Sequence, residues 1–365
     1  MFPQMKGRIS RQAHVRLPEG TYEEEHARRG FFGRASHLYH LHPPTAWVRV
    51  EGPLRPRLFL GEKAEPGDLL DPRGNPVRLL WNSEVALWIS RRSRPMPFFV
   101  RNADGDEVHF VHRGRGRIET DYGPLAYGPG DYLWIPKGTT YRVLPETPDG
   151  LTLIVESFRE LGLPDRGLLG HHAFIDPGVF ETPEPEPHDE AGEWEVRVKR
   201  AEAWTSLTYP FHPLDVVGWK GDLTVVRFNV RDLRPVVSPR YHLPPTVHTT
   251  FVAERLAVCT FVPRPFETDP EAQRVPFYHR NIDYDEVLFY HAGEFFSRHG
   301  IGPGALTLHP QGIGHGPHPK AFEAARGKAG TDEVAVLVET PVPYQVSPEA
   351  EKLEDPSYAT NWAMP

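Results

Sequence analysis

Along most of the chain, apolar and polar positions alternate with a period of two in short runs, the pattern of half-buried strands and not of amphipathic helices. Such runs occur at PRLFLG, VALWISRRS, FFVRN, EVHFVHRG, GRIETDYG, DYLWIPKG, TTYRVLP and LTLIVESF in the first half. They resume at EWEVRVKR, DLTVVRFNV, TVHTTFVAE, LAVCTFVPRPF, DEVLFYHAG, ALTLHP and DEVAVLVETPVPY. Gly, Pro or Asp separates most of them, so the pattern predicts an all-β protein built as antiparallel sandwiches or barrels with tight turns. Helical periodicity is confined to HPKAFEAARGK, which predicts one short helix. Residues 1 to about 50 read as a polar, irregular N-terminal arm that includes TYEEEHARRG, and Ser347 to Pro365 reads as a tail, docked or loose.

The strand pattern contains a repeat. Aligning Arg101-Asn102 with Arg280-Asn281 superimposes RNADGDEVHFVHRG on RNIDYDEVLFYHAG, 179 positions apart. A segment repeated at half the chain length indicates two copies of one structural unit. The acidic, proline-rich run FETPEPEPHDEAGEWE reads as a linker between them. This predicts residues 1–182 as the arm and a first barrel, and 183–365 as the linker, a second barrel and the tail. The copies differ in chemistry. Where the second has His279, His309 and His315, the first has Val100, Ile135 and Tyr141, and only Glu107 matches Glu286. The fold therefore needs the β pattern and not the histidines, which have another task in the second copy.

Composition narrows that task. The chain of 365 residues has 20 Phe, 13 Tyr and 8 Trp, enough for substantial cores, and its net charge of -8 lacks the basic excess that tracks a nucleic-acid backbone. No apolar run approaches the roughly 20 residues that span a bilayer, and MFPQMKGRIS lacks a signal-peptide core, so a cytoplasmic protein with neither nucleic-acid nor membrane partners is expected. The single cysteine, Cys259, excludes an internal disulfide and thiolate clusters. A metal would be held by His and carboxylate.

His279, Glu286, His309 and His315 supply such a set. Two imidazoles and one carboxylate on one face leave part of an octahedral shell open, the arrangement of non-haem Fe(II) oxygenases. Of His309 and His315, six apart across PQGIG, one would ligate and the other would orient a ligand or bond substrate. Asp283 and Asp285 compete with Glu286 but read better as turn and strand-start residues. His242 precedes a Pro-Pro turn and His248 follows six residues on; either could be structural. The cluster His37, His40 and His42 has ligand-like spacing, but with no nearby carboxylate it reads as packing or surface. No Walker, dinucleotide-binding or nucleophile-elbow motif appears in a suitable context.

These segments resemble the homogentisate 1,2-dioxygenases, Fe(II)-dependent two-cupin enzymes of tyrosine and phenylalanine breakdown. The resemblance covers most of the chain. It is carried by DYGPLAYGPGDYLWIPKGTTYRV, YPFHPLDVVGWKGDLTVVRFNVRDL, RVPFYHRN, LTLHPQGIGHGPH and AFEAA. It implies two tandem cupin barrels, the first metal-free, with one Fe(II) per chain held by His279, Glu286 and His315. It further implies His309 as a pocket residue and His242 as the acid-base histidine that takes a phenolic proton. Arg274 and Arg298 would meet the substrate carboxylate, with Phe277, Tyr278 and Phe295 as further pocket residues. The implied reaction is cleavage of the homogentisate ring by dioxygen to maleylacetoacetate, in a homo-oligomer of trimers or larger. Two departures stand out: His279 and Glu286 are seven apart where the family has six, and Phe277 and Phe295 stand where the family has tyrosines. The alternatives are another hydroquinone such as gentisate, a non-catalytic bicupin that binds a metal or ligand, and a metal-dependent cupin isomerase.

Overall fold

The computed structural model describes residues 4–274, 277–295, 300–318, 321 and 327–361. In chain order the first strands are β1 (Tyr22–Ala27), β2 (Ala35–His40), β3 (Arg57–Phe59), β4 (Val77–Trp81), β5 (Val85–Ser90), β6 (Phe99–Asn102), β7 (Asp106–Arg113) and β8 (Gly116–Thr120). Then come β9 (Gly123–Tyr127), β10 (Asp131–Ile135), β11 (Thr140–Pro145), β12 (Leu151–Ser157), β13 (Ala191–Arg200), β14 (Ala203–Phe211), β15 (Val226–Asn229) and β16 (Thr249–Ala253). The chain continues through β17 (Leu256–Phe261), β18 (Arg264–Pro265), β19 (Tyr278–Asn281), β20 (Asp285–Ala292), β21 (Leu306–His309), β22 (Gly330–Thr331), β23 (Val334–Thr340) and β24 (Gln345–Val346). The all-β expectation of two tandem barrels with few short helices holds. The helix expected over HPKAFEAARGK falls mostly outside the described residues, while the tail docks through a short helix, Pro348–Lys352, capped by Ser347 Oγ on Ala350 N–H.

The first barrel is formed by a seven-stranded sheet, β15-β10-β7-β12-β5-β4-β24, and a six-stranded sheet, β14-β13-β6-β11-β8-β9. The second comprises β16-β17-β23-β20-β21-β3, the three strands β19-β1-β2 and the pair β18-β22. The repeat read from sequence is visible in the register. Val100 pairs with Tyr141 and Glu107 with Ile135 in the first barrel; His279 bridges His315 and Glu286 pairs with His309 in the second.

Sheet membership crosses position 182 in both directions. Strand β1 runs parallel to β19, with Glu25 opposite His279, and β3 pairs with β21, so the N-terminal residues complete the second barrel. Reciprocally, β13 runs parallel to β6, with Arg197 opposite Val100, and β15 pairs with β10 in the first barrel. Each repeat gives its leading strands to the other. The acidic run read as a linker ends inside β13.

This exchange corrects the reading of the N-terminal arm as irregular. Tyr22–Ala27 is a strand whose Glu23, Glu24 and Glu25 are all buried. Buried carboxylates need partners, and these come from the rest of the arm and, in one case, from the second barrel. Glu23 is met by His14, His37 and Tyr39, and Glu24 by His40 and Arg280. Sequence periodicity could not see them.

Period-two alternation assigns the faces of the two central strands. On β20, Val287 and Phe289 enter the largest hydrophobic core, while Glu286, Leu288 and Tyr290 face a cavity in the second barrel. On β7, Val108 and Phe110 enter the same core, while Glu107, His109, Val111 and Arg113 line a cavity in the first. The barrels meet back to back across a pseudo-two-fold. Phe110 and Phe289 pack edge to face at 6.1 Å, and His112 Nδ1 lies 2.9 Å from His291 Nδ1, each pair 179 residues apart. No helix among the described residues is long and apolar enough to cross a membrane.

Candidate metal centre and active site

His279 lies on β19 and exchanges two backbone hydrogen bonds of 2.9 Å with His315, an isolated antiparallel bridge that sets their rings 4.0 Å apart. The loop between His309 and His315 turns at Gly312, where φ is 88°. It returns tightly enough that a Cβ on Gly316, with φ 153°, would stand 2.9 Å from Tyr278 Cα. Glycine is required there by conformation and by space. Glu286, the second residue of β20, completes the group. His279 Nε2 is 3.7 Å from Glu286 Oε2, and His315 Nε2 is 3.4 Å from Oε1. The three ligand atoms lie within 4.8 Å of one another, and all three residues are buried.

His309 stands directly behind this group. Its Nδ1 is 2.8 Å from Glu286 Oε1 and its Nε2 is 2.9 Å from the Tyr358 hydroxyl. It is fully buried, stacks on His315 at 4.5 Å and is not in the cavity wall, so it braces Glu286 from behind. The seven-residue interval from His279 to Glu286 is taken up by the turn after β19. There Asp283 accepts from Arg28 and from the Arg29 amide, and Asp285 accepts from Gln311 and Tyr344 amides. Both aspartates are spent on loop geometry.

Does this set fit a divalent cation? His279 Nε2 is buried without a hydrogen bond. Burial alone would push the Glu286 carboxyl up, but His315, His279 and His309 hold it well below the usual carboxylate range. Across the register from Glu286 lies Glu339, fully buried, with neither carboxylate oxygen hydrogen-bonded among the described residues. Two imidazoles and one ionised carboxylate suit a borderline dication.

A cavity of about 70 Å³ opens beside this triad. Its wall brings in Phe31, His242, Arg264, Phe277 and Tyr290. His242 bonds Glu267 through Nδ1 at 2.9 Å. Burial lowers the pKa of His242 against the pull of Glu267, with Arg264 and His14 adding to the lowering, so its ring is neutral at pH 7. With Nδ1–H given to Glu267, Nε2 is left to accept a proton.

Of the remaining expected residues, Phe277 is in the wall, whereas Tyr278 is turned away on the strand and packs near Tyr22. Phe295 is buried one layer back against Tyr290. Arg274 is not in the wall, and Arg298 lies outside the described residues. Among the described residues, the cation in the cavity wall is Arg264, 3.5 Å from Glu333. Sequence reasoning missed Arg264, Glu267, Phe31 and His14. All four come from segments with no part in the repeat, and His14, stacked on Phe277 at 4.2 Å, arrives from the arm. The absence of a carboxylate near His37 is also corrected: Glu23 is 3.2 Å from it, and His14, Glu25 and His37 form a second group of close ligand atoms.

Comparison with known proteins agrees with this geometry. Residues 82–230 match the family model described as homogentisate 1,2-dioxygenase N-terminal, and residues 241–364 match its C-terminal counterpart. A putative dioxygenase of Saccharolobus solfataricus is 34% identical over 99% of both chains. Homogentisate 1,2-dioxygenases of Sinorhizobium fredii and Rhodopseudomonas palustris are 29% and 28% identical over 72% of this chain, and this chain spans 62% of each of those relatives.

Proposed function

Since the chain belongs to the homogentisate 1,2-dioxygenase family, we propose that it is a ring-cleaving dioxygenase that opens homogentisate to maleylacetoacetate with one Fe(II) per chain. The observation that carries this reading is the buried His279, Glu286 and His315 triad at the end of an aromatic-walled cavity that also holds a neutral His242. When bound, iron would supply the redox chemistry between the aromatic diol and dioxygen.

The chain's residues would do the rest. His279, Glu286 and His315 would hold the ion, and His309, fixed between Glu286 and Tyr358, keeps the carboxylate in one orientation. His242 Nε2 would accept the proton that a ring hydroxyl loses, while Glu267 stabilises the imidazolium through Nδ1. Phe31, Phe261 and Phe277 form an apolar wall against the ring and exclude water. Arg264 would meet the acetate carboxylate in competition with Glu333.

Phe277 gives a specific reason to keep a second reading. Without a hydroxyl at that position, and with Arg264 as the cation of the wall, a different hydroquinone such as gentisate could fit better, because sites defined by buried hydrogen-bonding groups discriminate by up to roughly 10⁴-fold.

The decisive test is dioxygen uptake by anaerobically Fe(II)-loaded protein given homogentisate, with absorbance of the ring-cleaved product followed. Stoichiometric uptake lost in His279→Ala supports the proposal. Uptake only with another diol moves the substrate, and bound iron without uptake from any diol leaves a binding protein. Homo-oligomeric assembly belongs to the same proposal and is tested by mass in solution.

A further inference from the structure

The first barrel has lost three of the four metal-site positions but has not closed its interior. We propose that this interior is a second binding site, for a small hydroxyaryl carboxylate: an aromatic body with a hydroxyl at one end and a carboxylate at the other. It is independent of the reaction in the second barrel.

The cavity measures about 110 Å³, larger than that beside the triad, and is of the order that takes a single benzene-sized ring. Its polarity follows from strand register. Glu107, His109, Val111 and Arg113 share one face of β7, and β12 sets Glu156 opposite Glu107, Ile154 opposite His109 and Leu151 opposite Arg113. The long axis therefore runs from carboxylates, through an apolar middle, to guanidiniums. Six residues of strand span roughly 20 Å, room for one ring with a short acid tail between the polar ends.

At the acidic end, Glu156 is already served by Trp88, Asn102 and Lys199. Glu107 accepts from the Tyr141 hydroxyl at 2.7 Å and retains acceptor capacity. Beside it His109, only 5% exposed, has an Nε2 that makes no hydrogen bond among the described residues and lies 3.8 Å from Glu107 Oε2. A buried polar nitrogen left unpaired is destabilising. A phenolic hydroxyl placed between His109 and Glu107 satisfies it.

The middle is apolar: Met96, Phe98, Val100, Leu133 and Val143. Val100 occupies the position equivalent to His279, so where the second barrel offers an imidazole the first offers a wall for an aromatic ring. At the far end Arg92 is buried, donates to the Pro72 and Gly74 carbonyls and lies 3.9 Å from Asp68, while Arg113 is held by Glu62. Arg115 lines the mouth, is exposed, and makes no side-chain ion pair or hydrogen bond among the described residues. It is free to meet an incoming carboxylate. Glu107 and His109 are not among the close His and carboxylate groups suited to a cation, which favours an organic ligand over a metal.

The test is calorimetric titration of metal-free full-length protein with 4-hydroxyphenylacetate, using phenylacetate and 4-hydroxyphenylethanol as probes that lack one end. The expected result is a site whose affinity falls at least tenfold in Arg115→Glu and in His109→Leu, is unchanged in Arg264→Gln in the other barrel, and is at least tenfold weaker for either one-ended probe. Thermal unfolding without ligand verifies that each variant is folded, and exposed Arg115 decides the matter if His109→Leu is not. No binding at millimolar probe, or binding lost in Arg264→Gln and kept in Arg115→Glu, overturns the proposal.

Discussion

The two barrels set the same pair of glutamates across the same pair of strands and neutralise them in opposite ways. In the first, Glu107 and Glu156 face each other across β7 and β12, and Lys199, Asn102, Trp88 and Tyr141 supply every cation and donor from within the chain. In the second, Glu286 and Glu339 face each other across β20 and β23. Three histidines surround Glu286, and neither carboxylate oxygen of Glu339 has a hydrogen-bond partner among the described residues. Burial, reinforced by Glu286, pushes the Glu339 carboxyl up to about 8. In one barrel the cation that faces the glutamate pair is built into the chain as Lys199; the other barrel is arranged for a cation to be bound. The same architecture thus carries different chemistry according to whether positive charge is built in or left to be bound.

The largest expected break in this contrast comes from the ligands. His279→Ala should abolish stoichiometric Fe(II) binding and turnover, read by metal analysis and oxygen uptake, whereas the matching position in the first barrel, Val100→Ala, should change neither. Lys199→Met should act on the first barrel alone. Leaving Glu156 buried without its cation costs about 3–5 kcal/mol, which denaturant unfolding would detect, with metal content unaltered.

The seam between the barrels should make stability depend on pH. Burial lowers the His291 pKa to about 4, with His112 and Arg231 adding to the effect. Because the folded value lies below the unfolded one, near 6.5, this contribution is neutral above pH 6.5. Stability is lost as pH falls from 6.5 to about 4, by roughly 3 kcal/mol at most. In His291→Leu the slope should flatten in that window; an unchanged slope would place the pH response elsewhere.

Smaller effects should separate positioning from ligation. Glu267→Gln is expected to cut kcat about 10- to 100-fold while leaving iron content intact, with a pH profile shifted because His242 loses its carboxylate partner. Tyr358→Phe removes one hydrogen bond from His309 and should cost about 1 kcal/mol of stability, with iron held less tightly.

Much of this was legible in the chain. Period two in DEVLFYHAG and EVHFVHRG gave the strands, and the repeat paired Glu107 with Glu286 and exposed the loss of three histidines, because strand faces are set by local alternation and survive substitution. The substrate side of the pocket was less legible. Arg274 was expected in the wall that Arg264 occupies, and His309, read as facing substrate, stands behind Glu286. A lone Arg or Glu outside the repeat carries no periodic signal that marks it as part of a site.

Sequence by itself determined the all-β class, the doubling and the metal-ligand candidates, since each depends on side-chain type at fixed spacing along one strand or one turn. Only tertiary structure decided that each repeat lends its leading strands to the other barrel. It alone sets β1 and its three buried glutamates against β19, Phe31 and His14 against Phe277, and Tyr358 against His309. Most of those contacts join residues about 250 positions apart, and even Tyr358 and His309 are 49 apart; their energies come from burial and hydrogen bonding that exist only in the folded protein.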